Sequence, residues 1–343
     1  MSKTDDNRIG LDSLARQLGL SKGSVSRILN GKGTAFSEET RRRVTAAADA
    51  AGYRPNMLAR ALASGSTGIV SVCFSGPATP FVSKLAEVYA DRAMAVGWDP
   101  SIHLRLNCRR GGGLDPALAL ADGTIFHDFC SKRWAADLMV SNFPARTVPP
   151  VVFAGAFGWQ DGIDQVRIDL AAPALVAARW LVAKGCRRIV HLASTSPENT
   201  ADPRRIAYLA AMAEAGLDRT VVAGVPESRA AARATVGAWL DANGVPDAFY
   251  CHNDEIVLAA YRAALDRGIK VPDDLLLVGC DGASEMDLLP VPIPTIVQPI
   301  APAVASAVDF LARRLAEPST PIQSAHLSAD FVVPANFPEA PGP

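Results

Sequence analysis

Residues 9–33 read IGLDSLARQLGLSKGSVSRILNGKG. Leu11, Leu14, Ala15 and Leu18 recur at helical spacing, Gly19 interrupts, and Ser21 opens a second run in which Val25, Ile28 and Leu29 share a face. The reading is a helix, a tight turn and a second helix. The outward positions of the second helix are Lys22, Gly23, Ser26 and Arg27, all cationic, hydroxylated or small enough to enter a major groove. Ser21 is a good N-cap, so the helix starts there with free backbone N–H groups able to face a phosphate. An ordinary helical hairpin is the alternative for these residues alone. Downstream, Ser37-Glu38-Glu39-Thr40 supplies a cap and two carboxylates to the positive first turn of a third helix, which continues through Val44, Ala47 and Ala48 to Gly52. Three helices of this size bury one small core.

The pattern LxxLAxxLGLSxxSVSRxLNG, followed by SxETRxRVxxAAxxxGYRPNxxARxLxxG, resembles the DNA-binding headpiece and hinge of the lac repressor (LacI/GalR) family. The resemblance implies a headpiece at 1–55, a hinge helix and linker at 56–66, and a two-lobed core at 67–340. It implies a DNA-contacting set of Ser21, Lys22, Gly23, Ser24, Ser26, Arg27, Asn30, Tyr53, Asn56, Arg60 and Leu62. In the family the hinge helix folds on the operator and wedges a leucine into the minor groove; by position that wedge is Leu62, with a buried helix residue as the alternative. Wedging unstacks a base step and kinks the duplex, at a cost of a few kcal/mol that wider contact offsets. Two departures bear on readout: Gly10 replaces the usual capping Thr of the first helix, and Gly23 has no side chain with which to read bases. Readout is therefore expected to lean on Lys22, Ser26 and Arg27, and a lysine lacks the planar fork of arginine.

At 343 residues the chain is long enough for a headpiece and a two-lobed body, and 49% hydrophobic residues allow a large core. Residues 1–66 hold eleven Lys/Arg against six Asp/Glu, a charge of +5, while the remainder carries −6. That asymmetry places the phosphate-binding surface at the N-terminus. The six cysteines are scattered with no CxxC, so neither a zinc site nor a disulfide framework is indicated, and no metal or cofactor is expected. The first twenty residues have no apolar leader and no apolar run reaches spanning length, so a cytoplasmic protein without a membrane partner is expected.

From Gly68 the texture changes to short apolar runs alternating with helical stretches. GIVSVCF, GTIFH, PVVFAG, RRIVHLAS, DAFYCHND and DLLLVGCDG read as strands, and 82–96 as a helix ending at Gly97. The fold class is α/β: a three-helix helix-turn-helix headpiece and hinge helix, followed by doubly wound parallel sheets. Ligands of such sheets bind beyond the carboxyl ends of strands, where Asp128, Asn253, Asp254 and Asp281 fall. For each the alternative is a loop-capping role.

The body resembles the periplasmic-binding-protein-like regulatory core of the same family. The resemblance implies an N-lobe of 67–165 and 299–327 and a C-lobe of 166–298 and 328–340, with the chain crossing three times. It implies an effector set in which Phe81 walls the cleft, Arg205 fixes the ligand from the C-lobe, Asn253 and Asp281 meet ring hydroxyls, and Gln298 lies at a crossover, beside the Asp128 of the strand-end reading. Ala154 and Ser75 stand where sugar-responsive relatives often carry acids, so the site is less acidic and a neutral or an anionic ligand fits. Trp159 is a stacking wall, an interface residue or a core residue.

The GGG at 111–113 lacks both the GxGxxG and the P-loop spacing, and reads as a turn. No GxSxG, HExxH or Walker pattern occurs, and the five histidines form no set with a nucleophile; His252 is the one worth testing. The expected function is a ligand-responsive, DNA-binding transcriptional repressor. It would bind a pseudo-palindromic operator as a homodimer, with a sugar or sugar derivative as effector. The alternatives are a sugar-binding protein or an α/β enzyme without specific DNA function. With Pro-rich PANFPEAPGP after Val333, no C-terminal heptad run points to a tetramer.

Overall fold

The computed structural model describes residues 10–29, 34–53, 65–74, 79–104, 118, 120–128, 150–156, 162–194, 201–226 and 228–338. Asn30, Asn56, Arg60 and Leu62, and with them the expected hinge helix and wedge, lie outside the described residues, as do Ser75, the 111–113 glycines and Trp159. The chain divides into two compact units, Met1–Thr67 and Gly68–Pro343.

In the first unit α1 (Leu11–Leu18), α2 (Lys22–Leu29) and α3 (Glu38–Ala50) follow the expected order. α1 ends where Gly19 takes φ +66, a left-handed conformation open to glycine at no steric cost, and Leu20 N–H then returns to the Ala15 carbonyl at 3.0 Å. Ser21 Oγ accepts from Ser24 N–H at 3.1 Å, and Ser37 Oγ accepts from Thr40 N–H at 3.2 Å. Gly10 caps α1 without a side-chain bond. Leu14, Val25 and Val44 are fully buried and, with Ala15, Ile28 and Ala48, form the small core, against which Phe36 and Tyr53 pack.

Among the described residues the second unit holds two six-stranded sheets. β1 (Ile69–Phe74) is followed by α4 (Pro80–Ala95), β2 (Asp99–His103), β3 (Gly123–His127), β4 (Val151–Gly155) and β5 (Asp164–Asp169). α5 (Ala171–Ala183), β6 (Ile189–Ala193), α6 (Pro203–Glu214), β7 (Thr220–Ala223), α7 (Arg229–Asn243), β8 (Ala248–Cys251), α8 (Asp254–Leu265), β9 (Leu276–Asp281) and β10 (Thr295–Val297) continue the alternation. α9 (Ile300–Ala316), β11 (Ser324–Ser328) and β12 (Asp330–Val332) complete it.

The first sheet has the order β11-β5-β4-β3-β1-β2, with every pair parallel; the second runs β12-β10-β9-β8-β6-β7, parallel except for β10 with β12. Central strands such as IVSVCF, GTIFH and AFYC are continuous apolar runs because helices or loops cover both of their faces. α9 packs on β3, β4 and β5; α7 and α8 pair with each other, with α8 against β8 and β9.

The chain passes between sheets after β5, after β10 and between β11 and β12. The boundary expected at 165/166 therefore moves: β5 pairs along its length with β4 and β11 and belongs wholly to the first lobe through Asp169. Its first residue explains why. Asp164 is fully buried and accepts two bonds from the equally buried Arg314 of α9, at 2.9 and 2.8 Å, which anchors the strand to the first sheet. Among the described residues no helix is long and apolar enough to cross a membrane.

Candidate functional site

Two surfaces carry the polar residues singled out by the sequence. On the headpiece, burial of Val25 and Ile28 turns the opposite face of α2 outward, where Ser21, Lys22, Gly23 and Arg27 are exposed and Ser24 and Ser26 half-buried. Ser21 and Ser24 hydroxyls lie 2.9 Å apart, and the Arg27 guanidinium sits 5.5 Å from the centre of the Phe36 ring. Lys22 Nζ is 2.8 Å from Asp12 Oδ2 on α1. Tyr53 is half-buried against the headpiece core, with its backbone N–H on the Ala48 carbonyl. The exposed set is a helix face of cations, hydroxyls and one glycine that carries donors at a size compatible with a DNA groove.

On the body, the carboxyl ends of β3, β4, β8 and β9 collect the second group. Asp128 follows β3 at φ +49, and its Oδ1 accepts from Ala156 N–H at 2.7 Å. Gly155 makes this possible: its φ is +104, and a Cβ there would meet Asp128 Oδ1 at 2.2 Å. Phe81 lies in the first turn of α4, beyond the end of β1, half-buried against the core; Thr79 caps that turn by accepting from Val82 N–H at 3.2 Å. Asn253 caps α8, its Oδ1 accepting from Ile256 N–H at 3.0 Å, so its side-chain oxygen performs the capping role open to it. Asp254, the next residue, accepts from Thr295 Oγ1 and Ala283 N–H, both at 2.7 Å.

Asp281 ends β9 at φ +120, a conformation that strains any residue with a side chain, and is buried. Gln298 donates its side-chain N–H to Asp281 Oδ1 at 2.9 Å. Burial and then the Asp254 charge push the Asp281 carboxyl well above the usual carboxylate range; Arg204 opposes this, and Asp128 of the other lobe adds to it. Asp254 is likewise raised, chiefly by burial.

Beside the expected Arg205, the fold sets Arg204 at these strand ends. Arg204 is buried: its Nε donates to Asp202 Oδ1 at 3.1 Å and its Nη1 to the His252 carbonyl at 3.0 Å, and it reaches Cys280 Sγ at 4.0 Å. Arg205, about 100° further round α6, is half-buried. Sequence reasoning missed Arg204, although one signal was present. In Asp202-Pro203-Arg204-Arg205 the capping Asp202 accepts from Arg204 N–H at 2.9 Å and so meets the side chain of the first arginine, not the second.

Burial works against the Asp202 charge, but Arg204 beside it holds the carboxyl well below its usual range. His252 Nδ1 lies 3.1 Å from Asp202 Oδ2, and burial followed by the Arg204 charge lowers the imidazole to about 4. It is therefore neutral at pH 7 and fixed against the Asp202–Arg204 pair, with no nucleophile beside it among the contacts described. The strand ends accordingly gather a buried arginine, amides and carboxyl groups, polar groups of the kind that hydrogen-bond to hydroxyls. No cluster of three or more His, Cys, Asp or Glu able to hold a metal ion occurs among the described residues.

Residues 11–56 match the family model for bacterial regulatory proteins of the lacI family, and 178–333 match a periplasmic-binding-protein-like domain. The chain is 27% identical over 315 residues to catabolite control protein A of Priestia megaterium, covering 88% of this chain and 90% of that protein. Among solved structures it is similar to the lac repressor dimer bound to operator and the anti-inducer ONPF, with TM-score 0.74 and 20% identity over 95% of this chain and 98% of that one. It is also similar to a complex of the transcriptional regulator CelR with cellobiose, with TM-score 0.64 and 23% identity over 94% and 98%. By their names these relatives are regulators and not enzymes.

Proposed function

The chain belongs to the lacI family of bacterial regulatory proteins, and from that premise we propose that it is a ligand-responsive transcriptional repressor of carbohydrate-related genes. It binds a pseudo-palindromic operator as a homodimer in the cytoplasm and takes a sugar or sugar derivative between the lobes of its body. The observation that carries this reading is the face of α2, where exposed Ser21, Lys22, Gly23 and Arg27 stand opposite buried Val25 and Ile28 on a headpiece far more basic than the body. One short helix reads few base pairs, so two headpieces on a two-fold axis are needed to specify a site. The operator-bound lac repressor dimer and the CelR–cellobiose complex support both halves of the reading.

Of the two ligand classes open to the sequence, the neutral, hydroxyl-rich one is favoured. Arg204 already shares its charge with Asp202, which offsets the cation before a phosphate or sugar acid could use it, while the carboxyl groups of Asp128 and Asp281 suit hydroxyl partners. Ligand binding favours one arrangement of the lobes and changes operator affinity by its differential binding energy. The test is selection of bound sequences from a random duplex pool with the full-length protein. Recovery of a palindrome at a stoichiometry of two chains per duplex supports the proposal, and a monomer bound to an isolated half-site refutes it.

A further inference from the structure

We propose that Asp12 is a positioning residue for sequence readout: it holds the Lys22 ammonium away from the phosphates and so reserves it for base edges. The proposal rests on the DNA-binding reading of the headpiece and adds to it a residue outside the recognition helix. Lys22 Nζ lies 2.8 Å from Asp12 Oδ2, with the two side chains 60% and 66% exposed. Both anchors are fixed. Asp12 stands in the first turn of α1, where its carbonyl accepts from Arg16 Nε at 3.3 Å, and Lys22 opens α2 directly after the Ser21 cap.

The pair contributes little to folding, because an exposed ion pair in water is worth little and holding two flexible side chains opposes it. Its position gives it another use. A lysine is a compact charge on a four-carbon stem and carries no sequence information when it rests on a phosphate. The neighbouring Gly23 has no side chain to read with, and Arg27 is drawn towards the Phe36 ring, so discrimination at this end of α2 falls on Lys22. Tethering the ammonium to Asp12 limits its reach to the phosphate rails. As docking excludes water from the groove, the Asp12–Lys22 attraction strengthens, so the tether tightens where readout occurs.

The experiment measures Kd of full-length wild-type, Asp12→Asn, Asp12→Glu, Lys22→Met and Asp12→Asn/Lys22→Met proteins. Each is titrated on the selected operator and on a random duplex of equal length over a salt series. For Asp12→Asn we expect tighter random-duplex binding, a log Kd against log salt slope steeper by about 0.9, and an operator-to-random ratio about tenfold lower. Asp12→Glu restores most of the ratio. In the Lys22→Met background the same Asp12→Asn change leaves the ratio within about twofold, since no ammonium remains to be held. An unchanged ratio in Asp12→Asn, or an equal loss with and without Lys22, overturns the proposal. A wild-type protein with no sequence preference overturns the DNA-binding reading itself, and the proposal with it.

Discussion

Gln298 donates its side-chain N–H to Asp281 Oδ1 at 2.9 Å, which ties the end of β9 to the segment that leads from β10 of one lobe to α9 of the other. A ligand that competes for Asp281 therefore acts on a crossing strand. Asp281→Asn should lower the effect of the ligand on operator Kd by about 2- to 10-fold, as loss of a hydrogen bond to a neutral carboxyl implies, while leaving operator affinity without ligand unchanged. Titration of both proteins with and without ligand measures this; a normal response in Asp281→Asn removes the residue from the site.

The raised carboxyls of Asp254 and Asp281 give the body a pH dependence with a defined sign. Carboxylates in the unfolded chain titrate near about 3.9, whereas burial lifts these two to about 7 and about 8. The stability they contribute is complete below the unfolded value and is lost as pH rises through the folded ones. His191 and His252, lowered by burial to about 4, act in the opposite direction: their contribution is present above about 6.5 and is lost as pH falls towards 4. Thermal unfolding should thus give a Tm that declines on the alkaline side, and Asp281→Asn should flatten that limb. A limb of equal slope in the variant would contradict the assignment.

Asp164→Ala leaves the fully buried Arg314 guanidinium without its carboxylate. Removing one partner of such a pair should destabilise the body by about 3–5 kcal/mol, read from urea unfolding. The remaining acceptors, the carbonyls of Pro318 and Pro321 at 3.1 and 3.0 Å and that of Thr320, satisfy donors but not the charge. A loss below about 1 kcal/mol would show that water or rearrangement compensates.

Gly155→Ala adds a Cβ 2.2 Å from Asp128 Oδ1 and imposes φ +104 on a residue with a side chain. We expect a loss of about 1–3 kcal/mol and a displaced Asp128. Unchanged stability and unchanged ligand response together would mean that the Asp128 cradle is not needed.

The strands that sequence alone located are those buried on both faces, since an apolar run such as GTIFH or AFYC has one plausible use. DPSIH, DQVRID and SAHLS gave no such signal. β2 and β11 are partly exposed outer strands, and β5 opens on an aspartate whose burial depends on an arginine 150 residues away. Long-range pairing of this kind has no local pattern. The headpiece was legible because capping and spacing are local, and Ser21, Ser37 and Gly19 act where their residue types suggest. In the cleft the strand-end positions were legible but their tasks were not. Asn253 and Asp254 bond backbone or Thr295, and the choice between Arg204 and Arg205 depends on the register of α6 after its cap.

The central claim is that cleft occupancy and operator affinity are linked. Its most direct test is the operator Kd of the full-length protein with and without a saturating neutral sugar found by thermal-shift screening. The account predicts a change of about 5- to 150-fold, with the reciprocal change in sugar affinity on adding operator. Equal operator Kd in both conditions, with the sugar demonstrably bound, would contradict it.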